Sequence, residues 1–229
     1  VVLGGAIDEC KKLAEKLDAP VCNGYQHNDS FPGTHPLAVG PLGYNGSKAA
    51  MELISKADVV LALGTRLNPF STLPGYGIDY WPKKATIIQV DMNPDRIGLT
   101  KKVSVGICGD SKQVAQQILE KLSSDAGNTG REERKNLIHK TKSAWLQTLS
   151  GLDHEEDDPG TVWNKEARER DKDRMSPRQA WRAIQDALPQ EAIISSDIGN
   201  NCAIGNAYPT FEKPRKYLAP GLFGPCGYG

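Results

Sequence analysis

Short apolar runs punctuate the first half of the chain, at residues 1–3, 59–63, 87–90 and 103–107, with a shorter one at 20–22. Each has the length of a strand. The run VVLAL at 59–63 is apolar without alternation, the pattern of a parallel strand covered on both faces, so it is expected at the centre of a sheet. Between the runs lie stretches with helical spacing. Residues 7–17 carry apolar positions near a 3.6-residue period with Lys and Glu between them. Residues 47–56 follow Gly46 and open on Ser47, a good N-cap. Residues 110–122 follow Gly109, with Asp110 or Ser111 to cap and Val114, Ile118 and Leu122 on one face. Strands alternating with helices predict an α/β fold, a mostly parallel sheet flanked by helices, over residues 1–122.

The pattern changes over 123–175. Residues 123–128 read as a loop, and 131–149 as a helix with Ile138, Trp145, Leu146 and Leu149 available for burial. An acidic run at 153–158 and a mixed-charge stretch at 165–174 follow. This is the composition of a charged, solvated linker with surface helices. It lacks the glycine and ligand spacing of a calcium loop. A second α/β unit opens at Ser176-Pro177, a strong helix start. Ala180, Trp181, Ile184 and Leu188 form its apolar face, and Pro189 ends it. Residues 192–195 then read as a strand, 197–201 as a strand-to-helix turn and 202–207 as a helix. The second unit, 176–229, is thus begun and not finished within the chain.

Composition narrows the function classes. Hydrophobic residues are 38% and charged residues 24%, with a mean hydropathy of −0.47, enough apolar material for a core. Lys+Arg 28 balances Asp+Glu 28, which argues against a nucleic-acid binder and against a basic membrane-surface protein. No apolar run approaches the roughly 20 residues that span a bilayer. Cys10, Cys22, Cys108, Cys202 and Cys226 are scattered and odd in number, as free thiols in a cytoplasmic protein would be. His27, His35, His139 and His154 lack zinc spacing, and no metal ligand is assigned in the chain. The chain opens on VVLGG without methionine and closes in a glycine-dense loop, so it is expected to be an internal fragment.

Three constellations carry candidate chemistry. The turn Asp197-Ile198-Gly199-Asn200-Asn201 sits at the carboxyl end of a strand, where α/β folds place ligands. A helix starting there would aim backbone N–H groups at a phosphate, with Gly199 allowing close approach and Asn200 and Asn201 adding neutral donors. An ordinary polar loop has the same composition. The closing run from Pro220 to Gly229 is dense in glycine yet contains Leu222, Phe223 and Cys226, suited to walling a ring. The third combines His35-Pro36-Leu37, the glycines at 40, 43 and 46, and Gly64-Thr65-Arg66, where Arg66 could meet a phosphate. That spacing is not the dinucleotide fingerprint.

His35-Pro36-Leu37, Gly64-Thr65-Arg66 and Asp91-Met92-Asn93-Pro94 resemble the central domain of thiamine-diphosphate enzymes of the acetolactate synthase and pyruvate oxidase type. Residues 197–201 and 224–229 resemble the start of that family's diphosphate-binding domain. Within the family, residues 195–206 and 217–229 are most similar to the branch that takes sulfoacetaldehyde and phosphate to acetyl phosphate and sulfite. The resemblance implies thiamine diphosphate as electron sink, with Gly199, Asn200 and Asn201 toward its diphosphate. It places Gly224 near the aminopyrimidine, and Cys226 where relatives often carry a methionine under the bent cofactor, with Leu222 or Phe223 sharing that support. The activating glutamate and the Mg2+ ligands would lie outside the chain, and the catalytic residues are unassigned. FAD or ADP in the first unit is left open, and a homo-oligomer is expected. Two rival readings remain: acetolactate synthase or another thiamine-diphosphate decarboxylase, and a nucleotide-binding module built on residues 1–122. The decarboxylases usually carry a Gln-His type pair where Asn200-Asn201 stands.

Overall fold

A computed structural model describes residues 1–153, 173–219, 224 and 226–229. Every strand pairing in it is parallel. β1 (Val21–Asn23) pairs with β2 (Ala38–Pro41), and β3 (Val59–Leu63), β4 (Thr86–Asp91) and β5 (Val105–Cys108) form a three-stranded sheet in that order. Farther along, β6 (Ile194–Ser195) pairs with β7 (Tyr217–Leu218). The helices are α1 (Ile7–Leu17), α2 (Lys48–Ile54), α3 (Ser111–Lys121), α4 (Arg131–Asp153), α5 (Pro177–Ala187) and α6 (Asn200–Gly205). This is the α/β class that the alternation of runs predicts.

The caps follow from the residues supplied. Ser47 Oγ accepts from the Ala50 N–H at 3.2 Å and starts α2. Asp110 Oδ1 accepts from Lys112 and Gln113 and starts α3. α5 carries a full capping box, Ser176 with Gln179, followed by Pro177. The carboxyl end of α1 is closed by a distant group: the Arg134 guanidinium of α4 donates to the Leu17 carbonyl at 2.9 Å and the Asp18 carbonyl at 3.0 Å.

Several expectations change. β4 is the central strand of its sheet and β3 an edge among the described residues, with Val59 exposed. Residues 1–3 form no strand. Their carbonyls serve a local turn, the Gly5 N–H donating to Val2 and the Ala6 N–H to Val1, and Leu3 is exposed. β2 and β7 were not expected. β7 has only two residues, too short to show a period. Ile184 and Leu146 are exposed rather than buried. The acidic run lies outside the described residues beyond Asp153, as does most of the mixed-charge stretch.

Of the three apolar clusters among the described residues, one packs Ala62, Leu67 and Ile87 at the β3–β4–β5 sheet, and the other two involve α4. One gathers Phe31, Leu37, Val39, Met51, Leu53 and Tyr80 between β1, β2 and α2, and takes Ile138 from α4. The other gathers Trp145, Leu149 and Leu152 of α4, Ala49 of α2, Trp181 of α5 and Tyr208. One long helix therefore contributes to both.

Candidate cofactor-binding site

β6 ends at Ser195, and the chain turns through Asp197 and Ile198 into α6. The turn is made by Gly199, with φ +104° and ψ −156°. A side chain is strained in that region, so glycine is required. The Ala203 N–H closes the first helical turn on the Gly199 carbonyl at 3.2 Å, and no side chain caps the end. The N–H groups of Asn200, Asn201 and Cys202 therefore have no intrahelical acceptor. Both asparagine side chains are exposed. Behind them the Trp181 indole donates to the Asn201 carbonyl at 2.9 Å, and its ring lies where a Cβ on Gly205 would come within 2.4 Å. α6 is thus pressed flat on α5 with its amino end outward.

Asp197 ties the closing run to this turn. One carboxylate oxygen accepts from the Ile198 N–H at 2.8 Å and the other from the Gly227 N–H at 2.7 Å. The Gly227 amide, then the Ile198 amide, hold this carboxyl below the usual aspartate range. A Cβ on Gly224, which has φ +54°, would stand 3.5 Å from Ile198 Cγ1. A Cβ on Gly229 would stand 2.8 Å from the Asp197 nitrogen. Gly199, Asn200, Asn201 and Gly224 thus belong to one neighbourhood, and Cys226 lies exposed in the run that Asp197 holds. Leu222 and Phe223 lie outside the described residues.

The third constellation divides. His35 is engaged locally: Nδ1 accepts from the Leu37 N–H at 3.1 Å, Nε2 lies 3.2 Å from Glu15, and the ring meets Phe31 edge-on. Gly64-Thr65-Arg66 instead leaves the carboxyl edge of β3 beside the end of β4. Buried Gln89 of β4 gathers the loops there, donating to the Thr65 and Arg96 carbonyls at 3.0 Å and accepting from Gly98 at 2.8 Å. Among the described residues no group of His, Cys, Asp and Glu is arranged to hold a metal ion. No helix among them is long and apolar enough to cross a membrane.

Sequence reasoning missed Asp197 as the tie between turn and closing run. It also missed the loop after β1, whose Tyr25 hydroxyl lies 3.9 Å from Cys202 Sγ in α6. A single aspartate before Ile-Gly carries no signal of a partner thirty positions away.

A parallel α/β sheet, with a glycine turn at a strand end and an uncapped, outward helix start, defines an α/β protein whose turn has the geometry to accept a phosphate group. Comparison narrows it: the family described as "Thiamine pyrophosphate enzyme, central domain" matches residues 1–118, and the chain belongs to that family. Over all 229 residues the chain is 79% identical to a probable sulfoacetaldehyde acetyltransferase of Rhizobium meliloti (strain 1021), covering 39% of that protein. It is 76% identical over its whole length to the sulfoacetaldehyde acetyltransferase of Roseovarius nubinhibens, covering 38% of it. An acetolactate synthase large subunit of Buchnera aphidicola is 30% identical over the whole chain, which covers 37% of it. The chain spans about 39% of the length of the first of these curated relatives.

Proposed function

We propose that the chain serves a sulfoacetaldehyde acetyltransferase, which converts sulfoacetaldehyde and phosphate to acetyl phosphate and sulfite with thiamine diphosphate. The observation that carries the reading is the identity of 79% and 76% to two such enzymes along the whole chain, against 30% to an acetolactate synthase. Residues 1–122 would supply the central domain, 123–175 the connection and 176–229 the start of the diphosphate-binding domain, in a cytoplasmic homo-oligomer.

The residues around Gly199 fit the cofactor's diphosphate. The uncapped N–H groups of Asn200, Asn201 and Cys202 and the exposed carboxamides are neutral donors, and the adjacent helix end favours negative charge. Gly224 would let backbone approach the aminopyrimidine, and Cys226 would support the cofactor beside it. Magnesium would join the diphosphate through ligands outside this chain. Thiamine diphosphate, when bound, supplies the electron sink for carbon–sulfur cleavage. This chain's part is to bind and orient it: Gly199 sets the turn, Asp197 holds the closing run against it, and Trp181 fixes the Asn201 carbonyl from behind. The reaction balances without an outside oxidant or reductant, because the aldehyde carbon is oxidised as the carbon–sulfur bond is reductively cleaved. An FAD in the first unit would therefore have no net redox step to perform.

The test is Asn201→Ala in the full-length protein. Losing one neutral donor to a charged phosphate costs about 1.5–3 kcal/mol, or roughly 10- to 150-fold in cofactor affinity. Thiamine diphosphate titration should show that loss, with much of the rate restored at saturation. Asn128→Ala, between α3 and α4, should bind as the parent does. Unchanged affinity in Asn201→Ala would return the turn to an ordinary loop.

A further inference from the structure

The asparagine that closes α6 is among the most completely enclosed polar side chains in the molecule, at 0% exposure. Asn206 Oδ1 accepts from the Gln26 N–H at 3.0 Å, while Nδ2 points to the carbonyls of Tyr44 at 3.4 Å and Leu42 at 3.5 Å. Its own carbonyl accepts from Asn28 Nδ2 at 2.9 Å, and the same amide donates to the Pro209 carbonyl at 2.8 Å. Next to it Asp29 Oδ2 accepts from the Lys216 N–H at 2.9 Å. The loops after β1 and β2 thus grip the second unit at the carboxyl end of α6 through directed hydrogen bonds.

Three further features show that this grip is specific. Gln26 is held at φ +59°, in the left-handed region that non-glycine residues seldom occupy, and the bond to Asn206 falls on its backbone. Gly46 must be glycine for the approach, since a Cβ there would come within 3.1 Å of Asn206 Nδ2 and 2.4 Å of the Pro41 carbonyl. The two ends of the Asn206 amide face opposite chemistry, an N–H donor and two carbonyl acceptors, which aspartate cannot satisfy.

α6 has only six residues, about 9 Å at the usual rise. Its amino end therefore follows its carboxyl end closely. We propose that Asn206, clamped by Gln26 and Asn28, is a positioning residue that sets the Gly199–Asn201 turn for the cofactor from the first unit. The inference rests on the diphosphate role proposed for that turn. It assigns the loop after β1 an active part: without the clamp the donors remain but are no longer aimed.

The experiment titrates thiamine diphosphate into the full-length protein and its Asn206→Ala, Asn206→Asp, Asn28→Ala and Asn201→Ala variants, and measures kcat at saturating cofactor. Asn206→Ala removes the bond from Gln26 and both amide contacts to Leu42 and Tyr44, and should raise the dissociation constant by about tenfold or more. Much of kcat should return at saturation. Asn206→Asp should be no better, as it turns an acceptor toward two carbonyls. Asn28→Ala should shift affinity in the same direction by less. The Asn201→Ala, Asn206→Ala double variant should lose less than the sum of the two, because both act on one contact. If Asn201→Ala weakens binding while Asn206→Ala and Asn28→Ala bind as the parent does, the clamp is overturned and the diphosphate site stands. If Asn201→Ala itself changes nothing, both fail. Should Asn206→Ala not fold, Asn28→Ala decides, and parent-like affinity there overturns the proposal.

Discussion

The sheet β3–β4–β5 and the pair β6–β7 are both parallel, yet they are held by different forces. β4 runs six residues with Ile87 and Val90 buried, flanked by strands of five and four residues. Backbone ladder and aliphatic burial suffice there. β6 and β7 have two residues each. Their neighbourhood is organised by rings, with Phe211 stacked on Tyr217 at 5.7 Å and Trp181 against Gly205, and by amide and carboxylate bonds to the loop after β1. The second region borrows its shape from the loop after β1, and it is the second that carries the turn proposed to bind cofactor.

Removing a ring from the second region is the hardest test of that contrast. Trp181→Ala deletes a buried indole and its bond to Asn201, and should cost about 3–5 kcal/mol. The cost should be local. Hydrogen exchange should show lost protection in α5 and α6 while the β4 amides stay protected. Equal loss in both regions would mean that they unfold as one unit, and the contrast would be one of composition only.

A smaller effect separates geometry from packing. Gly199→Ala adds a methyl that meets open space, its nearest neighbour being Asn201 Oδ1 at 3.9 Å, so any cost is conformational. At φ +104° and ψ −156° that cost is about 1–3 kcal/mol. The variant should melt below the parent in thermal unfolding. In the full-length protein it should also bind thiamine diphosphate less tightly, since relief of the strain moves Asn200 and Asn201. A parent-like melting temperature would show that the turn relaxes freely and is not set by glycine.

What the sequence made legible follows the same division. Periodicity located α1, α2, α3 and α5, and capping residues such as Ser47, Asp110 and Ser176 marked their starts, because those signals lie within one turn of the residue concerned. The strand at 59–63 was legible as a strand but not as an edge, since a run of apolar residues does not encode its neighbours. The glycine turn at 199 was legible from local chemistry. The clamp on Asn206 was not: Asn28 and Asn206 are 178 positions apart, and neither sits in a pattern. α4 shows the same limit: Ile138, Trp145 and Leu149 were legible as residues available for burial, but not that Ile138 and Trp145 reach two different cores.

The smallest expected effect concerns the tie between turn and closing run. The Gly227 N–H, then the Ile198 N–H, hold the Asp197 carboxyl below the ordinary aspartate range. A group whose folded pKa is depressed adds stability above its unfolded pKa and loses it as pH falls through the folded value. The tie should therefore be fully formed at neutral pH and weaken only in acid, below the ordinary aspartate range. The Gly227 amide proton reports it directly, because it donates to Asp197 Oδ2 at 2.7 Å. Its NMR shift should titrate with a midpoint below the ordinary aspartate range, and Asp197→Asn should abolish that titration while leaving β4 amide shifts unmoved. A midpoint within or above the ordinary aspartate range would mean that the carboxylate gains nothing from the two amides. The closing run would then lie beside the turn without being held to it, and the approach of Gly224 to Ile198 would need another cause.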